Sequence, residues 1–204
     1  MSQVTNGLRS ILSYPIVYNL FQSIMGSHKS RKDFVNNRVK PFHDMKILDI
    51  GCGPADILQN LPTVDYWGFD ISENYINQAK KKFGSRGNFF CKQLEIKEVN
   101  QLPSFDLVLA LGLFHHLDDE IAIEVLQLAS KSLKIGGRLL SVDPCFEASQ
   151  NQIAKFLISK DRGQNVRDME GYQNLAKTIF KEPAVEVKHQ AWIPYTHCYM
   201  ECVK

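Results

Sequence analysis

A chain of 204 residues that is 44% hydrophobic and 23% charged can bury one core, and is too short for two comfortable domains. Its 24 basic and 22 acidic residues leave a net charge of +2, which removes any global electrostatic argument for nucleic acid or an anionic membrane. Five cysteines, Cys52, Cys91, Cys145, Cys198 and Cys202, form no CxxC pair and stand at no zinc-like spacing from histidine. No metal site is expected, and a reducing cytoplasm is the simplest setting.

From the start of the chain, Leu8, Leu12, Ile16, Leu20 and Ile24 recur every four residues as one apolar helical stripe, and Pro15 is placed to begin a second helix. Tyr14, Pro15, Asn19 and Gln22 interrupt the run, and no small-residue cleavage site follows, so neither a signal peptide nor a membrane span is expected. Residues 28–40 turn basic, with Lys29, Arg31, Lys32, Arg38 and Lys40, before Pro41 ends the piece. Residues 1–40 thus read as a helical preface, a possible lid, on a main domain over 41–204.

Beyond Pro41 short apolar runs alternate with helical periods, the pattern of a parallel sheet wound with helices. Residues 46–50, 66–69, 88–91, 106–111 and 138–142 read as five strands. Ser72 is placed to cap a helix whose Ile76, Ala79 and Phe83 face inward and which ends at Gly84. Asp118 caps another, with Ile121, Val125, Leu128 and Ser132 on one face and Lys131 and Lys134 suiting its negative end. Gly136-Gly137 supplies a turn into the fifth strand. Residues 150–159 and 167–180 have helical periods, while 184–192 and 196–203 alternate as strands that can pair as a hairpin. The expected architecture is α/β, a Rossmann-like three-layer sandwich on a seven-stranded, mostly parallel sheet with its last strand antiparallel.

The chemistry concentrates at the end of the first strand. Gly51, Cys52 and Gly53 make a turn whose backbone a ligand can approach closely, and Asp70, about 20 residues on, is placed to hold a ribose diol. Many nucleotides share that geometry, so charge decides among them. A pyrophosphate at this turn would meet Asp49 and Asp56, and Asp56 stands where a dinucleotide fingerprint has its third glycine. S-adenosylmethionine carries an ammonium and a sulfonium instead, and Asp49 suits its methionine end.

The stretch 47–55 resembles the first motif of class I S-adenosylmethionine-dependent methyltransferases. Tyr66-Trp67-Gly68-Phe69-Asp70-Ile71-Ser72 resembles the second, residues 105–110 the fourth strand, and 133–140 the approach to the fifth. The resemblance covers roughly residues 45–143. It implies that Ile71 lies against adenine, that Leu94 belongs to the same pocket, and that backbone near Ala110 and Leu111 meets the methionine part. In that family an acidic residue after the third strand accepts a bond from the adenine amine; Gln93 stands near that place, and its amide carbonyl can still accept. Arg31 is a candidate partner for the cofactor's carboxylate, or one member of a solvated basic face. The product would be S-adenosylhomocysteine.

Methyl transfer is an in-line displacement that needs a base only if the nucleophile arrives protonated. His115 and His116 follow the fourth strand at the ligand-binding edge, and His116 is the first candidate base, against a structural role for both. Asp143 ends the fifth strand on the same edge, facing substrate or capping a turn before Pro144. The absence of an Asn-Pro-Pro-Tyr or Asp-Pro-Pro-Tyr sequence argues against adenine and glutamine amides as acceptors. Arg162 and Arg167, in a polar segment over 161–167, offer two guanidiniums to a carboxylate or phosphate, or else an Asp-Arg pair holding a loop. With Tyr172 and residues 193–196 that segment resembles a group of small bacterial methyltransferases, which makes Tyr195 a candidate substrate contact. Tyr14 and Tyr18 could close over the methyl group, or simply pack.

The expectation is a methyltransferase acting on a small-molecule acceptor, by preference an oxygen of a metabolite, natural product or glycan precursor, with no nucleic acid partner. A nicotinamide-dependent oxidoreductase and a non-catalytic S-adenosylmethionine-binding subunit are the alternatives; the oligomeric state is left open.

Overall fold

The computed structural model describes residues 28–159, 163–190 and 195–204. The expected lid residues Tyr14 and Tyr18, and Arg162, lie outside them. Helix α1 (His28–Phe34) runs into a π-helical turn (Val35–Val39), and the chain then enters the sheet. Strands β1 (Lys46–Ile50), β2 (Asp65–Asp70), β3 (Asn88–Cys91), β4 (Phe105–Leu111) and β5 (Leu133–Pro144) are linked by helices. These are α2 (Glu73–Phe83), the short α3 (Ile96–Val99) and α4 (Asp119–Ser132); α5 (Gln152–Ser159) and α6 (Met169–Lys177) precede β6 (Ala184–Gln190) and β7 (Tyr195–Val203).

The seven strands form one sheet in the order β3-β2-β1-β4-β5-β7-β6, with β7 antiparallel to both its neighbours and the other pairings parallel. Helices on both faces explain why the central strands are apolar throughout rather than alternating with polar residues. In β4, Leu107, Leu109 and Leu111 pack on one face with Ile47, Tyr66, Ile76, Leu140 and Val142. Val108 and Ala110 pack on the other with Leu48, Phe69, Val125, Leu139 and Tyr172. Phe34, Val35 and Val39 share the first of these clusters, so residues of the basic preface belong to the core of the sheet. Arg138 pins them there, donating from Nη1 to the carbonyl of Arg38 at 2.6 Å and from Nη2 to that of Val39.

The local signals act as their chemistry dictates. Ser72 accepts from the amide of Tyr75 at 3.4 Å, Asp118 from that of Ile121 at 3.0 Å, and Gly84 closes α2 in a positive-φ conformation. The fifth strand differs from expectation. It begins at Leu133, directly after α4, because the main chain at Gly136 and Gly137 pairs with Lys204 instead of turning. The register irregularity between Phe105 and Leu107 absorbs the extra residues. The last helix is also shorter than 167–180, since Asp168 caps it by accepting from the Gly171 amide at 2.8 Å.

Candidate functional site

The strand order reverses between β1 and β4, and such switch points open a crevice at the carboxyl ends of the strands. After β1 the backbone alternates into the left-handed region at Gly51 (φ 74°), Gly53 (φ 54°) and Ala55 (φ 56°). Gly51 is required by its φ, and an added Cβ would also crowd Leu113, lying 3.2 Å from its Cδ1. The amides of Gly51 and Cys52 donate to the carbonyl of Phe69 at 2.8 and 3.1 Å, which ties the turn to β2. A Cβ on Gly53 would meet nothing within 4 Å, so the turn is open on its ligand side. The Cys52 side chain points the other way, into the core against Gly68, and burial holds its thiol well above the usual range.

Two carboxylates frame this turn. Asp70 is buried and accepts from the Gly53 amide at 2.9 Å and the Ser72 amide at 2.8 Å, so both oxygens are held while each keeps a second lone pair. Burial pushes its carboxyl up, against the pull of those amides. Asp49 is 3% exposed and accepts from the Tyr66 hydroxyl at 2.6 Å on Oδ2. Its Oδ1 is buried with no hydrogen-bond partner among the described residues. Burial, opposed by the Tyr66 bond and reinforced by Asp70, raises the carboxyl to about 7. A buried carboxylate of this kind is completed by a cation.

Beside the turn lies a cleft of about 470 Å³, part of it open to solvent. Gly51, Asp70, Ile71, Gln93 and Leu94 line it together with Leu113, so the residues expected at the adenosine end converge on one depression. Leu111 closes β4 at 8% exposure, and the Gly112 amide beyond it donates to Val142 at 2.8 Å. Arg31 sits buried on α1. Asp56 does not speak to the ligand's charge as the sequence suggested: it is buried and paired with Lys82, which neutralises it. The case for a cationic ligand therefore rests on Asp49.

The second cluster joins β4, β5 and the loop before α6. His115 Nδ1 lies 2.9 Å from Asp143 Oδ1, both side chains being fully buried, and the His115 amide donates to the same oxygen at 3.2 Å. The His116 ring packs 3.9 Å from that of His115. The carboxylate therefore orients His115, the second of the two candidate bases. Tyr195 opens β7 buried, its ring 5.0 Å from that of His197.

Arg167 is used by the fold rather than by an anion. Its Nη1 and Nη2 donate to the carbonyls of Phe114 and Leu117 at 2.9 and 2.8 Å, and Nε and Nη2 hold Asp119 at 3.0 and 2.6 Å. The guanidinium staples the turn that carries His115 and His116, the looped arrangement the sequence left open. Two residues the sequence reading passed over matter here: Tyr66, and Gly163, which packs on His115. A glycine within a strand signals close approach, and Gly68, beside which the Tyr66 ring lies, is such a signal.

Residues 48–139 match the methyltransferase-domain family. The chain is 27% identical over 114 residues to the ubiquinone biosynthesis O-methyltransferase of Idiomarina loihiensis, covering 53% of this chain and 46% of that one. It is 27% identical over 186 residues to phosphoethanolamine N-methyltransferase 3 of Arabidopsis thaliana, covering 86% and 36%. The chain spans about half or less of the length of the curated relatives it matches. Among solved structures, the plantazolicin methyltransferase in complex with a triazolic desmethylPZN analog and SAH superposes with a TM-score of 0.65 at 16% identity, covering 97% of this chain and 94% of that one.

Proposed function

We infer that this chain, whose residues 48–139 match the methyltransferase-domain family and whose sheet is Rossmann-like, is a class I S-adenosylmethionine-dependent enzyme that methylates an oxygen of a small-molecule metabolite. The observation that carries the reading is the buried Asp49, with one oxygen unpartnered among the described residues, beside an open glycine turn and the amide-held Asp70. Those groups fit S-adenosylmethionine: Asp49 takes its ammonium, Asp70 its ribose, and Ile71, Gln93 and Leu94 its adenine. Once bound, the cofactor supplies an electrophilic methyl carbon on a sulfonium. A nicotinamide dinucleotide fits less well, because its pyrophosphate would face Asp49 and because β7 lies antiparallel between β5 and β6, unlike the 3-2-1-4-5-6 order of dinucleotide folds. A non-catalytic binding role would leave the oriented His115–Asp143 pair without a purpose.

An oxygen acceptor arrives as a hydroxyl or carboxyl, so its proton has to go somewhere. Asp143, accepting from Nδ1, sets the His115 tautomer that carries its basic lone pair on Nε2. His115 is on this account the base, its ring buried under Gly163 in the ligand-free chain so that the acceptor has to displace that residue to reach it, and the Arg167 staple and Asp143 hold its turn. The ubiquinone-pathway relative is named an O-methyltransferase, which agrees with that acceptor. The cysteine usage fits a reducing compartment such as the cytoplasm.

The test is release of S-adenosylhomocysteine with a panel of phenols and hydroxy acids beside the matching amines. Hydroxyl compounds are expected to react, and His115→Gln to lower kcat about a hundredfold or more while cofactor affinity stays within about twofold. Turnover confined to the amines, or full turnover in His115→Gln, would show that the acceptor or the base has been misassigned.

A further inference from the structure

Tyr66 reaches Asp49 by an unusual route. Parallel pairing sets Ile47 opposite Tyr66, Asp49 opposite Gly68 on β2, and Asp49 beside Leu109 on β4. Tyr66 and Gly68 lie on the same face, two residues apart. A ring that starts opposite Ile47 must therefore cross position 68 to meet Asp49. A Cβ at Gly68 would stand 2.8 Å from Sγ of Cys52, closer than real Cβ contacts allow, and a tight 3.0 Å from Cε1 of Tyr66. Along the same edge of the ring a Cβ at Gly87 would stand 3.0 Å from its Cδ1, and Phe89 packs at a centroid distance of 5.9 Å. The two glycines thus leave one edge of the ring the room it needs, and the ring ends with its hydroxyl 2.6 Å from Asp49 Oδ2.

We propose that Tyr66 is the positioning residue of the cofactor site: its hydroxyl holds Oδ2 of Asp49, which leaves Oδ1 to receive the ammonium of S-adenosylmethionine. The proposal rests on the cofactor reading above. Only ionised Asp49 takes a cation well, and the hydroxyl favours that form against burial and the nearby Asp70. The groups facing Asp49 are Tyr66 and Asp70 of β2 and Cys52 of the turn; Tyr66 and Cys52 keep their protons, both being pushed well up by burial. Asp49 is then the group there that titrates near neutrality, and burial holds Asp70 above its usual range.

Calorimetric titration of the full chain with S-adenosylmethionine between pH 5.5 and 7.5 tests this, beside melting curves of the ligand-free protein over the same range. Wild-type affinity is expected to rise with pH toward a midpoint of about 7. Tyr66→Phe is expected to bind about tenfold more weakly near pH 7, with the difference fading toward pH 5.5, where both proteins carry a protonated Asp49. Gly87→Ala, which crowds the ring without touching the turn and keeps its hydroxyl, is expected to reproduce that profile in weaker form, and it carries the test if Tyr66→Phe folds poorly. In the ligand-free melts, the pH range over which Asp49 ionises should move upward in both variants. A loss of affinity equal at every pH would mean a merely structural tyrosine and would overturn the proposal, as would unchanged binding. Wild type that binds no S-adenosylmethionine would overturn the cofactor reading and this proposal with it.

Discussion

Asp49→Asn is expected to weaken S-adenosylmethionine binding by about a hundredfold or more at pH 7.5, and to make the ligand-free protein more stable. The first effect follows from removing the charge that a cationic ligand needs, a charge-assisted bond in a buried site being worth about 1.5–3 kcal/mol. The second follows from what that charge costs when no ligand is present. Burial raises the Asp49 carboxyl from 3.8 in the unfolded chain to about 7 in the folded one. The folded protein therefore holds this proton more tightly, and the contribution of Asp49 to stability is fully present below pH 4 and is lost as the pH climbs from about 4 to about 7. Over that window the displacement amounts to roughly 4 kcal/mol at most. An asparagine at this position has no charge to bury and still offers Tyr66 an acceptor. The variant should match wild type near pH 4 and melt several degrees higher at pH 8. An Asp49→Asn protein that is less stable than wild type at pH 8 would contradict the account of a strained carboxylate waiting for a cation. Stability given up for binding in this way is the common signature of a functional site.

The other large effect is expected at Gly163. A Cβ there would lie 2.1 Å from Cδ2 of His115 and 2.7 Å from the His115 carbonyl oxygen. The ring cannot swing aside cheaply because Asp143 holds it, and the carbonyl is main chain that accepts from the Asn165 amide at 3.0 Å. Gly163→Ala must therefore push the whole 163–167 segment off the turn that carries both histidines. Overpacking of a buried contact costs about 1–3 kcal/mol, occasionally more, and the upper part of that range applies where backbone is struck. The melting temperature should fall by about 6–12 °C, with turnover lost in parallel because the turn that carries the His115–Asp143 pair is pushed out of place. A melting temperature within a degree of wild type would show that this segment is not seated on His115.

Much of this architecture could be read from the sequence because the deciding signals are local. Strands buried on both faces announce themselves as apolar runs, and Ser72, Asp118 and Gly84 mark helix ends by chemistry that acts within one turn. The glycine turn and Asp70 were legible for the same reason, since a fixed spacing after a strand places them. What the sequence hid depends on register and on distant partners. Tyr66 meets Asp49 only once β1 and β2 are aligned, and only because Gly68 leaves the path clear. Asp56 looked like a charge at the ligand until Lys82, 26 residues later, was found against it. Arg167 offered itself as an anion clamp because a guanidinium suits either role, and carbonyls 50 and 53 residues back in the chain decide between them. Gly136-Gly137 reads as a turn in isolation, whereas pairing with Lys204 makes it part of a strand.

Calorimetric titration of the wild-type chain with S-adenosylmethionine at pH 7.5, repeated with NADH, tests the central claim most directly. The account predicts saturable heat with S-adenosylmethionine at one site per chain, lost in Asp70→Ala, and none with NADH. Heat with NADH and none with S-adenosylmethionine would contradict it.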